Sequence, residues 1–419
     1  MSILFVLSII VLRIYFVHSG TNEKSLEYET ALNNGDAGHY LKIGMNLAHY
    51  GVYSDDQSSA PTEMAAWRAP VWPMLLALFF KFTSNLFVIL LCKTIIEIAI
   101  VLFVLFRIKK YFTLNWLYLL PFLLLLLEPH YIKYSMTFLT ESFTAVLLLL
   151  LSTLFVTMNT NRSGHIAIPV LGAVIILCHP VSIFCVLVIV GLYLLMLIKQ
   201  DWKRAGIHAA VFCAIAISWP IRNDLTYKQG IFLTASQGTT FSKGWNEDVL
   251  QKFTNTRGDL ADESHNLKYL TAAERNAKLD VIASGKRMKK ATMAYLKTID
   301  LSTMFQIAAT KLKSNFNPFP EIKKPGLLEM AGTFFRCLFL VNFVLLAYRF
   351  VKKGKLRFSI PKDRVYLIVF AILAGQVLMS IYIYTGLRFN SIYGLTSFFC
   401  FILLVFGRFL TSGNGNKIM

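Results

Sequence analysis

The sequence predicts an all-α polytopic membrane protein with about ten transmembrane helices and two long extracytoplasmic loops. Three observations predict this class. Hydrophobic residues make up 56% of the 419 residues, and the mean hydropathy is +0.56. Charged residues make up only 16%, against about 25% in soluble domains. Several apolar runs reach or approach the ~20 residues that a helix needs to cross a bilayer.

The apolar runs define the predicted spans, and several are short enough that we expect tilted or kinked helices. The predicted spans are 2–17, 84–106, 114–127, 136–157, 165–178, 181–198, 205–219, 327–350, 365–385 and 393–410. The first run contains Arg13 and has no small-x-small cleavage site, so we expect a membrane anchor rather than a cleaved signal peptide.

The short loops predict the orientation of the chain in the membrane. From a cytoplasmic N-terminus, the inside loops all carry Lys or Arg, as the positive-inside rule requires. These inside loops are 107–112, 159–164, 199–204 and 352–364. Both termini are then cytoplasmic, and the long loops 18–83 and 220–326 share the outer side. We expect a bacterial inner (plasma) membrane protein with an extracytoplasmic active site.

This orientation divides the chain into three parts. Residues 1–219 form an N-terminal transmembrane module that includes the first outer loop. Residues 220–326 form a large extracytoplasmic segment, and residues 327–419 form C-terminal transmembrane helices. The formal charge of +19 arises partly from the inside loops and partly from the basic run 284–297. That run predicts either contact with anionic head groups or glycans, or a solvated face. An outer location argues against nucleic acid as a partner.

The first outer loop places a carboxylate, a histidine and a tyrosine together. "GDAGHYLKIGMNLAHYG" predicts a helix with Asp36 as N-cap and Gly51 as its C-terminal stop. The i+3 and i+4 spacing brings His39 and Tyr40 beside Asp36. The apolar bias predicts that this helix lies along the membrane surface. Arg68 follows in an extended segment. A purely structural alternative is that Asp36 only caps the helix and Arg68 only contacts head groups.

Four segments resemble one known family. The acid and tyrosine after the first span, followed by Arg68, Pro70 and Pro73, resemble the first-loop signature of the GT-C superfamily of membrane glycosyltransferases. Protein O-mannosyltransferases, lipid A aminoarabinose transferases and bacterial enzymes that use lipid carriers belong to it. Further outer-side motifs resemble those of the family, so that the resemblance extends over most of the chain. They are "EPHYIKYSMTFLTESF" (128–143), "ISWPIRNDLTYKQGIFLTASQGTTFSKGWN" (217–246) and "YTGLRFNSIYG" (384–394).

The resemblance implies transfer of a sugar from a polyprenyl-phosphate donor to an acceptor hydroxyl, with inversion at the anomeric carbon. Asp36 matches the catalytic acid of the family and would act as general base. The departing phosphate needs cations, and the candidates are Arg68, Arg222, Arg388 and, less securely, Lys243. The alternative for the arginines is snorkelling at the interface. The expected acceptor and sugar pocket consists of His39, Tyr40, Glu141 and His179.

The sequence departs from the family pattern at two places. Ala37 stands where many relatives have a second acid, so no metal ligands are assigned and no cofactor is certain, although a divalent metal stays open. "RFNSIY" stands in place of an Arg-Tyr-Arg-x-Pro run, so the family residues that usually surround the arginine are absent around Arg388. Two sets of charged residues lie inside predicted spans and predict structural pairing between helices. They are Lys93 with Glu97 and Glu329 with Arg336.

Two other classes remain as alternatives. A membrane glycan polymerase or ligase would use a polyprenyl-diphosphate donor and would depend on the 220–326 segment rather than on Asp36. A lipid or sugar transporter would be expected to contain internal repeats and broken helices, and the sequence has neither. The identity of the sugar, the acceptor (lipid, glycan or protein), the oligomeric state and the role of residues 247–326 do not follow from the sequence.

Overall fold

The computed structural model of the protein describes most of the chain, and it is helical there, as predicted. The described residues are 10–15, 18, 28–33, 35–56, 61, 65–113, 128–158, 165–251, 264–317, 327–353, 356–357, 360–383 and 387–409. Two short strands, β1 (Phe112–Thr113) and β2 (Arg408–Phe409), pair antiparallel. All other regular elements in the described part of the chain are helices, which confirms the predicted all-α class.

The helices are numbered here in chain order. They are α1 (Tyr28–Leu32), α2 (Gly35–Tyr50), α3 (Val71–Phe80), α4 (Leu86–Lys109), α5 (Pro129–Ser135), α6 (Glu141–Thr157), α7 (Ala167–Cys178), α8 (Ile183–Ile198), α9 (Trp202–Tyr227), α10 (Gln237–Gly244), α11 (Ala272–Asn276), α12 (Val281–Leu296), α13 (Leu301–Phe316), α14 (Leu327–Lys353), α15 (Pro361–Tyr382) and α16 (Leu387–Val405). Single 3₁₀ turns occur at Pro180–Ser182, Glu247–Val249 and His265–Tyr269.

Five helices in the described part of the chain are long and apolar enough to cross a membrane. They are Leu86–Lys109, Pro180–Ile198, Trp202–Tyr227, Gly332–Lys352 and Pro361–Tyr382. Shorter apolar helices at Val71–Phe80, Glu141–Thr157, Ala167–Cys178 and Ser391–Val405 accompany them. The protein is therefore a helical membrane-embedded protein. The count of about ten spans stays a prediction, and the predicted span 114–127 lies outside the described residues.

Helix α6 lies at the centre of the bundle. It packs against α4, α7 and α16, and its side chains are buried around almost the whole circumference. A helix that is apolar all round must be enclosed by neighbours. The central position of α6 places its first residue, Glu141, at the point where several helices end.

Helices α8 and α15 pack closely against each other. A Cβ atom at Gly375 of α15 would lie 2.7 Å from the Cβ of Cys185 in α8, so only glycine permits this approach of two candidate spans. Small residues allow helix backbones to approach closely inside a membrane. The start of α8 is therefore held closely against α15.

Helix α2 confirms the helix predicted after the first span, with one difference at its start. The helix begins at Gly35, so Asp36 lies within the first turn rather than at the N-cap. Gly51 follows the helix with a φ of +71°, a conformation that favours glycine at a helix end. Helix α2 packs against α3. Its predicted location along the membrane surface stays a prediction.

The two segments predicted as outer loops contact each other. The Ala235 N–H donates to the Ala66 carbonyl at 2.8 Å, which ties the chain after α9 to the chain before α3. Ala65 N–H in turn donates to the Tyr53 carbonyl at 2.8 Å. Residues far apart in sequence therefore form one irregular layer over the ends of the helices.

Candidate functional site

A cavity of about 760 Å³ lies beneath this layer and is lined by six parts of the chain. They are the N-terminal turn of α2, residues 67–69, the junction of α5 and α6, residues 179–184, residues 232–243 and the end of α15. The size falls in the range of small-molecule pockets, about 300–1,000 Å³. The cavity is the candidate functional site.

The structure brings together Asp36 and Arg68, which are 32 residues apart in sequence. Nη2 of Arg68 donates to Oδ1 of Asp36 at 2.5 Å. The guanidinium carbon also lies 5.2 Å from the centre of the Tyr40 ring. The Asp36 side chain is 30% exposed and the Arg68 side chain is 15% exposed. A guanidinium at this distance orients the carboxylate through a charge-assisted hydrogen bond.

Tyr40 is a buried residue of the cavity lining and lies near the carboxylates of both Asp36 and Glu141. Burial raises the pKa of Tyr40 to about 12, although the nearby Arg68 cation acts in the opposite direction. The carboxylates of Glu141 and Asp36 raise this pKa further. The hydroxyl is therefore protonated near neutral pH and can serve as a hydrogen-bond donor.

Glu141 and His179 form a second polar pair in the cavity. Nε2 of His179 lies 3.9 Å from Oε1 of Glu141, and both side chains are buried. Nδ1 of His179 accepts the Val181 N–H at 3.3 Å. A neutral imidazole with an accepting Nδ1 carries its proton on Nε2. That N–H then points to the Glu141 side, where a substrate hydroxyl could be bound.

A polar wall faces these pairs from α10. Ser236, Gln237, Thr239, Thr240 and Lys243 line the cavity, and Lys243 is buried. The amide of Asn246 donates to the carbonyls of Ser242 and Lys243, at 3.0 and 3.3 Å, and so closes the C-terminal end of the helix. Lys243 is thus a second cationic side chain in the cavity lining, in addition to Arg68.

The remaining wall is apolar and consists of residues at the ends of two candidate spans. Val181, Ile183 and Phe184 lie at the start of α8. Met379, Tyr382 and Ile383 lie at the end of α15. The cavity therefore combines a polar part that contains carboxylates and cations with an apolar part between membrane helices.

Two predicted site residues lie outside the described cavity lining, and the side chain of a third is not described. His39 is not among the lining residues described; its Nδ1 lies 3.4 Å from Oδ2 of Asp55. Burial, and after it the Arg68 cation, lowers the pKa of His39 below its ordinary value. Arg222 lies outside the described lining, among aromatic rings. The side chain of Arg388 lies outside the described part. The predicted roles of all three stay predictions.

Residues that the sequence interpretation did not assign to the site hold it in place. Nζ of Lys93 donates to the carbonyls of Tyr134, Thr137 and Leu139, at 3.1, 2.7 and 3.2 Å. Nε1 of Trp72 donates to the Phe138 carbonyl at 2.7 Å. These bonds fix the turn that leads into Glu141. The signal in the sequence was the lysine inside an apolar span, which predicted pairing with Glu97.

That pairing is present as part of a larger buried cluster. Nζ of Lys93 lies 3.9 Å from Oε1 of Glu97, and Nη2 of Arg13 lies 3.8 Å from Oε2 of the same carboxylate. The Ser142 hydroxyl also donates to Glu97 at 2.8 Å. Lys93 and Glu97 thus pair with residues of other elements, as predicted, whereas the side chain of Glu329 lies outside the described part.

Among the described residues, no group of three or more His, Cys, Asp or Glu side chains could hold a metal ion. The cavity carboxylates instead face an arginine and a histidine.

Comparisons with protein-family models, with curated proteins and with solved structures found no match. The resemblance to the GT-C superfamily therefore rests on the sequence motifs. The geometry of the cavity is an independent line of argument for what the protein can do.

Proposed function

We propose that the protein is an inverting glycosyltransferase that transfers a sugar from a polyprenyl-phosphate donor to an acceptor hydroxyl at the extracytoplasmic membrane face. The observation that carries this proposal is the lining of the cavity. A carboxylate held by an arginine lies in the same cavity as an apolar wall at the ends of two candidate spans. A donor with a charged head and a long apolar tail needs both kinds of surface.

Asp36 would act as the general base in this reaction. The acceptor oxygen attacks the anomeric carbon, the bond from that carbon to the phosphate oxygen breaks, and the bonding electron pair leaves with the phosphate. The acceptor proton passes to the Asp36 carboxylate. A base of this kind contributes roughly 10²–10⁴-fold to the rate. Direct displacement inverts the anomeric carbon and needs no covalent enzyme intermediate.

Arg68 and Lys243 would stabilise the leaving phosphate. Negative charge accumulates on this group as the bond breaks, and cations already fixed in a dry site stabilise it most. A guanidinium presents five N–H donors, enough to bind a carboxylate and a phosphate at the same time. The tail of the carrier would lie against Phe184, Met379 and Ile383. Glu141, His179 and Tyr40 would bind hydroxyl groups of the sugar or of the acceptor.

The proposal is tested by a transfer assay on the purified protein in detergent. Undecaprenyl- and dolichyl-phosphate sugars are supplied with lipid, glycan and peptide acceptors, and release of polyprenyl phosphate is measured with and without EDTA. We expect release by the wild type, and a loss of roughly 10²-fold or more in Asp36→Asn with retained folding. An EDTA-sensitive activity restored by a divalent cation would add a metal to the site.

Asp55→Asn is the matched control, because it removes the same charge from the same loop. Its side chain is 29% exposed, against 30% for Asp36, and it lies outside the described cavity lining. Activity like that of the wild type in Asp36→Asn would contradict the role of this base. No release from any monophosphate donor by the wild type would contradict the donor class and favour the diphosphate-dependent polymerase or ligase.

A further inference from the structure

Arg222 lies in an enclosure of aromatic side chains at the end of α9. Its guanidinium carbon is 5.3 Å from the ring centre of Tyr53, 4.6 Å from that of Trp219 and 5.4 Å from that of Tyr227. Its Nη1 donates to the Asn223 side chain at 3.0 Å and to the Tyr227 hydroxyl at 3.3 Å. A cation over aromatic faces is attracted by their π-electrons, so the three rings are held around the guanidinium.

Tyr53 connects this enclosure to the Arg68 backbone. Its ring packs edge-on against Trp219, with the two ring centres 4.7 Å apart. Its hydroxyl is 3.1 Å from the Arg68 carbonyl and 3.2 Å from the Ala69 carbonyl, and it donates to them. Burial raises the pKa of Tyr53 well above its ordinary value, which keeps the hydroxyl a donor. The tyrosine therefore joins the end of α9 to the residue that contacts Asp36.

The same end of α9 also holds the opposite edge of the cavity. Nε1 of Trp219 donates to the Leu233 carbonyl at 3.2 Å. The Asn223 amide lies 3.4 Å from the carbonyls of both Ile231 and Leu233. Leu233 and Thr234 line the cavity. One set of side chains, Trp219, Arg222 and Asn223, thus reaches two walls of the site.

We propose that Tyr53 and Arg222 are positioning residues for Arg68. Arg222 holds the Tyr53 ring, and the Tyr53 hydroxyl holds the Arg68 backbone, so that the guanidinium stays on Asp36 within the cavity. This proposal rests on the proposed function in assigning a catalytic consequence to the Asp36–Arg68 pair. It gives Arg222 an indirect role, in place of direct contact with the donor phosphate.

The first test asks whether Tyr53 acts through Arg68. Tyr53→Phe removes the hydroxyl and keeps the ring, so it preserves the packing against Trp219. We expect kcat/KM for the transfer reaction to fall roughly tenfold in the wild-type background, because small misplacements of catalytic groups are costly. In an Arg68→Ala background, the same change is expected to lower kcat/KM by less than about twofold, since coupled residues are not additive.

Arg222→Gln is tested in the same two backgrounds. Loss of activity in the wild-type background alone supports the positioning role. An equal further loss in the Arg68→Ala background would mean that Arg222 acts independently, as a direct phosphate ligand would, and would overturn its part of the proposal. An equal effect of Tyr53→Phe in both backgrounds would overturn the part of Tyr53.

A second measurement does not depend on activity. Phenylglyoxal modifies accessible arginines, and the rate of modification at Arg68 is followed by peptide mass spectrometry. We expect Tyr53→Phe and Arg222→Gln to increase this rate several-fold. An unchanged rate in both variants would overturn the proposal even if transfer activity falls. A raised rate in a protein that transfers no sugar would support the positioning role while the proposed function fails.

Tyr193→Phe is the control for loss of a buried tyrosine hydroxyl. Its hydroxyl lies 3.2 Å from the His165 carbonyl and 2.7 Å from Nδ1 of His208, and none of these residues belongs to the described cavity lining. This variant is expected to leave the reactivity of Arg68 and the transfer rate unchanged. A change as large as that in Tyr53→Phe would make the effect a general loss of packing and overturn the proposal.

Discussion

Lys93 illustrates at the scale of one residue how a buried charge can organise a site that it does not enter. The lysine is fully buried in α4, and its ammonium group donates to three backbone carbonyls of the turn before Glu141. An ammonium group has three donors and no acceptor, so these three bonds match its capacity. The contact with Glu97 at 3.9 Å adds charge compensation.

Replacing Lys93 by Met is expected to destabilise the fold by roughly 3–5 kcal/mol, because it leaves three carbonyls without their donor and removes one of the two cations beside the buried Glu97 carboxylate. Lys109→Met is the matched control, since Lys109 lies in the same helix and is exposed. Thermal unfolding of both variants in detergent measures the difference. Equal melting temperatures for the two variants would show that the Lys93 contacts contribute little to stability.

At the scale of the element, the approach of α2 to α3 positions the turn that carries Asp36. A Cβ atom at Gly44 would lie 2.8 Å from the Cβ of Leu76 and 3.4 Å from the Pro73 carbonyl oxygen. A contact under 3.0 Å forces one helix to move. Helix α2 carries Asp36 in its first turn, so a change in this packing shifts the carboxylate relative to Arg68.

Gly44→Ala is therefore expected to destabilise the protein by about 1–3 kcal/mol through overpacking, even though alanine favours a helix. It should also lower the transfer rate. Gly191→Ala provides the comparison, because Gly191 lies within α8 and a Cβ there meets no atom within 4 Å. That variant should be neutral or more stable. If thermal unfolding ranks the two variants in the opposite order, the close packing of α2 on α3 is wrong.

At the scale of the whole molecule, the two long segments contact each other, and we therefore expect them to lie on one side of the membrane. Residues 66 and 235 share a backbone hydrogen bond, and both segments line one cavity. This contact agrees with the prediction from the basic inside loops, which places both segments outside.

Cysteine labelling in intact cells tests this arrangement. Lys81→Cys and Lys278→Cys place thiols at exposed positions of the first and second segments, and Gln200→Cys places one at an exposed position of a predicted inside loop. A membrane-impermeant maleimide should label the first two in intact cells and the third only after lysis. The six native cysteines set the background. Labelling of only one of the two segments would refute the common side.

Several features of the candidate site could be predicted from local sequence. The helix after the first span, its end at Gly51 and the closeness of Asp36 to Tyr40 depend on residues within one or a few turns. The charge inside α4 was visible as a lysine in an apolar run. Its three carbonyl partners were not, because they lie 41 to 46 residues further along the chain.

The position of Arg222 had no local signal of this kind. The motif around it predicted a role at the site, but whether its guanidinium faces a ligand or three aromatic rings depends on Tyr53, which belongs to another segment. The pairing of Glu141 with His179 likewise depends on how α6 and α7 pack.

The sequence by itself determined that the protein is helical and membrane-embedded, because apolar runs that approach the thickness of a bilayer can satisfy their backbone hydrogen bonds only as helices. It also determined which charged residues stand next to those runs. Only the tertiary structure decided that Asp36 meets Arg68, that Glu141 meets His179 and that Arg222 turns to aromatic rings. These contacts join residues distant in the chain, and their geometry is set by close packing of helices rather than by local propensity.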